Sequence, residues 1–163
     1  MVNILSCMCR TLLIILIFFS SNIFAEPAVI NCKGKDNSRW TNCFGALSKN
    51  GTTYVGNFLK GKMHGKGTFT YSDGATYFGD FRNGKESGEG TFICWAHGAK
   101  YEGAFKNGLK HGKGSYNYPD GATYVGDWEY GKRHGTGIYT FANGEKMVGE
   151  FREDKYQGNS NDG

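Results

Sequence analysis

Much of the chain alternates between aromatic or glycine positions and polar or β-branched positions. In one segment Tyr54, Gly56 and Phe58 fall on one side, while Val55 and Asn57 fall on the other. A period of two is typical of β-strands, whereas an amphipathic helix repeats its apolar positions every three or four residues. The pattern therefore predicts a succession of short strands. After the N-terminal segment, no part of the chain has the helical period.

The strand pattern recurs about every 23 residues. The full copies occupy residues 51–73, 74–97, 98–120 and 121–143. A partial copy follows at 144–158, a degenerate half-copy precedes the first, and the second copy has one extra residue near Cys94 and Trp95. A fixed period of this length indicates a repeat protein in which each unit packs on its neighbours.

Each copy is expected to form one hairpin, because Asn-Gly and Asp-Gly pairs mark its ends. Asn83-Gly84 and Asn107-Gly108 lie between the two strands of a copy. The pairs between copies are Asp73-Gly74, Asp120-Gly121 and Asn143-Gly144. Such pairs favour type I′ hairpin turns, in which both central residues have positive φ.

The sequence thus predicts an all-β fold, a single-layer antiparallel meander of about five hairpins. We place the sheet at 40–151, with an N-terminal cap segment at 26–39 and a polar, mobile tail at 152–163. Aromatic residues make up 15% of the chain, too many for a disordered polar chain to leave exposed.

Period-two alternation collects the aromatic rings on one face of this sheet. The predicted aromatic groove comprises Tyr54, Phe58, Phe69, Tyr71, Tyr77, Phe81, Phe92, Trp95, Tyr101, Phe105, Tyr116, Tyr118, Tyr124, Trp128, Tyr139 and Phe141. Glycines occupy the remaining positions on that face and are expected to make room for the rings. Because no helix is encoded to cover the rings, the sheet must curl around them, pair with a second copy, or hold them for a partner.

The first 25 residues are predicted to be a helical signal peptide. Arg10 precedes a short apolar run, and Ala25 provides a small residue at the cleavage point. The run is shorter than the ~20 residues of a spanning helix, although an uncleaved membrane anchor remains the alternative. The expected location is therefore periplasmic or secreted, with membrane tethering if the segment stays attached.

Cysteine usage is compatible with export. Cys32 and Cys43 flank a short polar loop, and we expect them to form a disulfide in an oxidising compartment. Cys94 is then unpaired, and we expect a small buried apolar side chain there.

Residues that could perform chemistry occur at equivalent positions of the repeats. His64, His111 and His134 are one such set, and Asp80 and Asp127 are another, on the face opposite the rings. Equivalent residues of adjacent copies are displaced by roughly 10 Å, two strand spacings, which is too far to share one metal ion. Gly-x-Gly strings lack the following helix of a phosphate-binding loop. We therefore expect neither an enzyme nor a metal or cofactor site.

Lysines cluster near the predicted turns inside each copy. This basic rim comprises Lys60, Lys62, Lys66, Lys85, Lys106, Lys110, Lys113, Lys132 and Arg133. It is expected to attract anionic lipid head groups or acidic partners, or to confer solubility alone. The net charge of +4 is too small and too mixed to indicate nucleic acid binding.

The recurring Tyr-x-Gly-x-Phe/Trp, Gly-Lys and His/Ser-Gly-x-Gly-x-Phe/Tyr pattern resembles the MORN repeat, the membrane occupation and recognition nexus motif. Departures are the extra residue near Cys94, Ser87 in place of His, Met147 in place of Tyr, and the signal peptide. The resemblance implies a twisted, curved, open sheet and a scaffold or binding role toward proteins or membrane phospholipids.

The expected function is a binding or scaffold module that holds a protein partner with its groove and its sheet edges. The alternative is peripheral membrane association through the basic rim. A more distant alternative is an accessory module of an enzyme complex, and a homodimer is also compatible with the pattern.

Overall fold

The computed structural model describes residues 30–159. The predicted signal peptide lies outside the described residues, and so does the end of the predicted tail, 160–163.

The described chain is built almost entirely from strands. They are β1 (Cys43–Lys49), β2 (Thr52–Leu59), β3 (Lys62–Thr70), β4 (Thr76–Arg82), β5 (Lys85–Cys94), β6 (Ala99–Lys106), β7 (Leu109–Asn117), β8 (Thr123–Glu129), β9 (Lys132–Thr140), β10 (Lys146–Arg152) and β11 (Lys155–Gly158). Each strand pairs antiparallel with its neighbours in sequence, which gives one open sheet in the order β1 to β11. A 3-10 turn at Asn37–Arg39 is the only helical element between residues 30 and 159. The predicted all-β meander is confirmed.

Each full copy forms a hairpin whose internal turn has the predicted geometry. Asn83 and Gly84 both have positive φ, as do Asn107 and Gly108. The second residue of each turn donates its backbone N–H to a carbonyl one copy earlier, as Gly108 does to Glu86 at 2.9 Å. The turns along this edge are therefore linked to one another.

The turns between copies differ from the prediction. Gly74 has positive φ but Asp73 does not, so the pair is not a type I′ turn. Asp73 instead accepts a hydrogen bond from the backbone N–H of Ala75 at 2.9 Å. Asp120 and Asn143 form the same bond to the residue two positions on. The aspartate side chain thus replaces a backbone acceptor, as in other Asx turns.

The sheet also extends further than expected. Part of the segment predicted to be a mobile tail forms β11, which pairs with β10 through Phe151 and Tyr156. The fifth copy thus contributes both of its strands to the sheet.

A bulge occurs at the same place in each full hairpin. In the first copy the register shifts between Gly56 and Phe58, opposite Gly65, which has a φ of 61°. The equivalent glycines are Gly88, Gly112 and Gly135, all with positive φ. Repeated bulges bend and twist the strands in the same direction each time. His64, His111 and His134 each precede a bulge glycine.

At the bottom of the groove, each full copy contains a tyrosine lying flat over a pair of glycines. The Tyr77 ring covers Gly79 and Gly90, which face each other across β4 and β5. The Tyr77 hydroxyl then donates to the carbonyl of Asp80 at 3.0 Å. Tyr54, Tyr101 and Tyr124 have the same arrangement. A Cβ at any of these facing glycines would lie within 2.9 Å of its tyrosine.

These tyrosines join the copies through edge-to-face ring contacts. The ring centroid of Tyr77 lies 5.1 Å from that of Phe81 in its own copy and 4.8 Å from that of Phe105 in the next. Repetition produces one unbroken row, which runs Phe58, Tyr54, Phe81, Tyr77, Phe105, Tyr101, Trp128, Tyr124 and Phe151. We call these nine rings the ring row. Each is at most 8% exposed although no second layer of secondary structure covers it in the described chain. The sheet therefore buries its own aromatics.

Both ends of the ring row are closed by another ring. The ring centroids of Trp40 and Phe58 are 4.9 Å apart, and those of Tyr156 and Phe151 are 5.3 Å apart. A disulfide joins Cys32 to Cys43 with a Cα–Cα distance of 4.9 Å and holds the N-terminal segment against β1. The terminal segments thus take the place of missing neighbouring copies.

We predict that Gly90→Ala destabilises the sheet. Gly90 does not have positive φ, so on backbone entropy alone alanine would stabilise by about 0.4–1 kcal/mol. The new methyl group would instead lie 2.5 Å from Cε2 and Cζ of Tyr77, and such overpacking costs about 1–3 kcal/mol. Urea unfolding monitored by circular dichroism measures the sign.

Gly74→Ala is a reference for backbone strain alone, because no atom lies within 4 Å of its added methyl group and any loss of stability there comes from the positive φ. A Gly90→Ala protein that is more stable than the parent would contradict the close packing of ring on glycine.

Candidate functional site: an aromatic groove with one variable position in each copy

A second tier of rings lies above the ring row and is only partly buried. Its members are Phe69, Tyr71, Phe92, Tyr116, Tyr118 and Tyr139. They pair among themselves, as Tyr71 does with Phe92 at 5.8 Å and Tyr118 with Tyr139 at 5.6 Å. These rings form the accessible walls of the aromatic groove, whereas the ring row is its buried floor.

At one position of the groove, the side chain differs in polarity and charge from copy to copy. It is the strand residue that pairs with the second aromatic of the floor, and the full copies carry Met63, Glu86, Lys110 and Arg133 there. We call these residues the variable positions. Adjacent members are separated by two strands, roughly 10 Å. Trp40 and Tyr156 close the two ends of the series.

Glu86 is held by a hydrogen bond within the groove. The Tyr71 hydroxyl donates to Oε1 of Glu86. Burial and this carboxylate raise the pKa of Tyr71, so the phenol stays protonated and remains a donor at physiological pH.

Lys110 places its ammonium over three ring faces. Nζ lies 4.2 Å from the ring centroid of Trp128, 4.3 Å from that of Tyr116 and 5.6 Å from that of Tyr101. No carboxylate of residues 30–159 lies within ion-pair distance of this Nζ. Burial lowers the pKa of Lys110 to about 8, against the opposing effect of Asp154.

Arg133 occupies the equivalent place in the fourth copy but has a partner. Its Nε lies 3.2 Å from Oδ1 of Asp154, and Nη2 donates to the Asp154 carbonyl at 2.7 Å. The guanidinium also lies 5.3 Å from the ring centroid of Tyr139. This end of the groove is therefore filled by the protein itself.

A pocket of about 360 Å³ opens between Glu86 and Lys110. The lining residues are Tyr71, Tyr77, Glu86, Phe92, Tyr101, Phe105, Gly108, Leu109, Lys110, Tyr116 and Gly131. Its volume lies at the lower end of the range for small-ligand sites, and its walls are aromatic with one group of each charge.

One predicted member of the aromatic groove, Trp95, lies elsewhere, and another, Phe141, lies at the open end of the groove. Trp95 is 65% exposed in the turn after β5, and its indole N–H donates to the Thr76 hydroxyl at 3.2 Å. Cys94, two residues after Phe92, takes the ring position that Tyr71 and Tyr118 have in other copies, and Trp95 falls in the lengthened turn, so the Trp95 assignment was wrong. Phe141 is exposed, although its ring still contacts Tyr139 at 4.9 Å.

Cys94 is partly exposed and carries no disulfide, in contrast to the buried side chain we expected. Its sulfur lies 3.2 Å from Nδ1 of His97. The contact arises because the extra residue lengthens the turn and brings His97 back over the end of β5.

The basic rim divides into three groups instead of forming one line. Lys110 and Arg133 turn into the groove, as described above. Lys66 and Lys113 lie on the opposite face, where they pair with Asp80 at 2.9 Å and Asp127 at 2.6 Å. The remaining residues lie along the turn edge and are Lys60, Lys62, Lys85, Lys106 and Lys132, the last paired with Glu153.

The opposite face of the sheet carries a shorter apolar row that the sequence analysis did not single out. Val125, Ile138 and Val148 are cross-strand neighbours and are 55%, 41% and 51% exposed. They line an open depression at the C-terminal end of the sheet. Their period-two alternation with the floor residues was a usable signal.

Within residues 30–159 no group of three or more His, Cys, Asp or Glu side chains converges as metal ligands would. The same part of the chain contains no helix with the length and apolar character needed to span a bilayer. The polar groups of the groove can bind and orient a ligand.

The chain matches the model of a known protein family. The model of the MORN repeat matches residues 54–76, 77–94, 101–123 and 124–146, together more than half of the chain. A comparison with curated proteins found no match.

We predict that Lys110 makes the stability depend on pH above neutrality. Its ammonium loses a proton at a pH of about 8 in the folded chain but only near 10.5 when unfolded. Unfolding takes up a proton between these values, so the contribution of Lys110 to stability rises with pH. Lys110→Met lacks this contribution, and its stability relative to the parent should fall steadily across that interval.

The tyrosine contributions cancel in this comparison because both proteins carry the same tyrosines. A stability difference that stays constant between neutral pH and pH 10.5 would show that the amine is not desolvated in the groove.

Proposed function

We propose that this chain, which belongs to the MORN-repeat family, is a non-catalytic binding module that holds a protein partner in its aromatic groove. Repeats of this family are commonly binding or scaffold modules and are typically non-catalytic. That the groove of this chain holds a protein is supported by the exposure of its upper rings and by the variable positions.

The main support is that the two tiers of rings have different roles, the floor being buried and structural and the upper tier accessible. Ring contacts within the floor already bury it, so stability does not require a ligand above it. The upper tier remains partly exposed, and the variable positions above it are apolar, acidic or basic. A purely structural position would repeat one residue type, as the floor tyrosines do. Variation over a constant floor is the arrangement of a recognition surface.

The two edges of the sheet also differ. At the β1 edge the chain covers itself, because Cys32 donates its N–H to the Phe44 carbonyl and the disulfide fixes this contact. At the other edge β11 ends the sheet without a described neighbour. A strand from a partner can therefore add at the β11 edge, where backbone groups remain available.

We further propose that the protein works in an exported location, periplasmic or secreted. The Cys32–Cys43 disulfide supports this, because such bonds persist in oxidising compartments and are rare in the cytosol. The apolar N-terminal segment supports it as well.

We predict that Leu109→Asp abolishes partner capture while Val125→Asp preserves it. Leu109 lines the groove pocket and is 47% exposed, whereas Val125 lies on the opposite face and is 55% exposed. Both changes put one carboxylate on an accessible apolar site, so their effects on folding should be similar. Crosslinking in the native exported fraction, followed by mass spectrometry, measures capture.

The same sample tests the location, because the mature protein should begin at Glu26. The opposite pattern, capture lost only with Val125→Asp, would assign the partner to the other face. A crosslinked species of twice the mass would identify the partner as a second copy of this chain.

A second candidate function is peripheral binding to a membrane surface. Lys60, Lys62, Lys85 and Lys106 lie at or beside the turns on one edge, and none forms an ion pair within residues 30–159. Each basic residue near an anionic surface contributes about 1 kcal/mol.

If this candidate is correct, replacing these four lysines by glutamine should remove sedimentation with phosphatidylserine vesicles at low salt. Lys66 and Lys113 are the matched control pair, because they are already paired with aspartates. Parent protein that stays in the supernatant at low salt would exclude this function.

A further inference from the structure

The pocket between Glu86 and Lys110 can be assigned a specific ligand if the proposed binding function is taken as given. Among the charged variable positions, Lys110 is the one whose side chain has no hydrogen bond or ion pair with any other residue of 30–159. Glu86 accepts a hydrogen bond from Tyr71, and Arg133 is paired with Asp154. The Lys110 ammonium lies over ring faces, at 4.2 Å and 4.3 Å from the two nearest centroids, and Asp154 influences it only from beyond ion-pair distance.

A partly buried ammonium without a counter-ion has lost part of its hydration. Ring faces compensate for some of this loss through cation–π attraction. A carboxylate that reaches Nζ would restore the rest through a charge-assisted hydrogen bond. The pocket thus has a place for one anionic group at one end of an apolar cavity.

The other walls determine what must carry this anionic group. Tyr77, Tyr101 and Phe105 form the floor, Phe92 and Tyr116 lie above it, and Leu109 lies at the mouth. The backbone groups below them are paired in the sheet ladder. An internal peptide segment would bring several N–H and C=O groups to a surface that offers almost no partners, at a cost for each unpaired group.

A chain terminus avoids most of this cost. Its last residue brings one side chain for the apolar walls and one carboxylate for the ammonium. A volume of about 360 Å³ accommodates a single large side chain with its carboxylate. Phosphate-sized dianions fit less well, because Glu86 lies on the same pocket and would repel the second charge.

We propose that this pocket binds the C-terminal residue of a partner polypeptide, with the free carboxylate on Nζ of Lys110 and an apolar side chain against the rings. Capture of a terminal carboxylate is a known mode of peptide recognition, here with a single ammonium in an aromatic pocket as the receptor.

The test compares two probes that differ only in this carboxylate. An N-acetylated tripeptide ending in phenylalanine is titrated into the full mature protein as the free acid and as the C-terminal amide, below the pKa of Lys110. Amide NMR spectra and the indole signal of Trp128 monitor binding. The free acid should bind at least about tenfold more tightly, since a hydrogen bond to a charged group contributes about 1.5–3 kcal/mol.

Three variants assign this preference to Lys110. Lys110→Met retains an apolar stem over the rings and should bind acid and amide equally, whereas Lys110→Arg should keep the preference. Lys106→Met removes the same charge from an exposed site on the neighbouring strand and should also keep it. Loss of the preference in Lys106→Met would show only long-range attraction and would overturn the proposal.

Other results are equally decisive. Equal binding of acid and amide by the parent protein would overturn the carboxylate site while leaving the groove as an apolar binding surface. If neither peptide binds but the partner is still crosslinked through the groove, this inference fails and the proposed function stands. If 3-phenylpropionate alone binds as tightly as the tripeptide, the ligand is a small acid and the assignment to a chain terminus is wrong.

Discussion

The structure depends on the contact between a tyrosine ring and the two glycines beneath it. Glycine weakens a strand, because it has no side chain to pack and loses much backbone entropy on folding. Here the missing Cβ atoms let the Tyr77 ring lie on the backbone, close enough for its hydroxyl to reach the Asp80 carbonyl. The ring then presents its edge or face to the phenylalanines of two copies. A single contact thus compensates for the glycines, satisfies a polar group and joins neighbouring repeats.

This arrangement explains how one layer of strands buries a core. A flat sheet would leave its rings in water. Here recurrent bulges bend the strands, and the tyrosine rings lie parallel to the sheet surface on the facing glycines. The bulge has a second effect, because it sets the register that pairs Glu86 with Phe81 and Lys110 with Phe105. The same backbone irregularity thus shapes the floor and delivers the variable side chains to the groove above it.

Features that are local and periodic could be predicted from the sequence, whereas features that are neither were harder to predict. The strands, their order and the floor rings depend on alternation and on Asn-Gly turns, so they could be predicted. The assignment of Trp95 did not follow this logic, because alternation from Phe92 puts Cys94 on the ring face and the extra residue only lengthens the turn that follows. The ends of the array were also less predictable, since β11 is held by its pairing with β10 and by the contact of Tyr156 with Phe151.

The basic rim shows most clearly why the site was harder to predict than the fold. Sequence position places Lys110 and Lys113 together near one turn, yet one enters the aromatic groove and the other pairs with Asp127 on the opposite face. The bulge at Gly112 lies between them. Because Lys110 and Lys113 are three residues apart, strand alternation alone puts them on opposite faces. The bulge adds the register offset that sets Lys110 opposite Phe105 of the floor. Such differences of environment, more than the number of charges, determine which lysine of this chain can recognise a ligand.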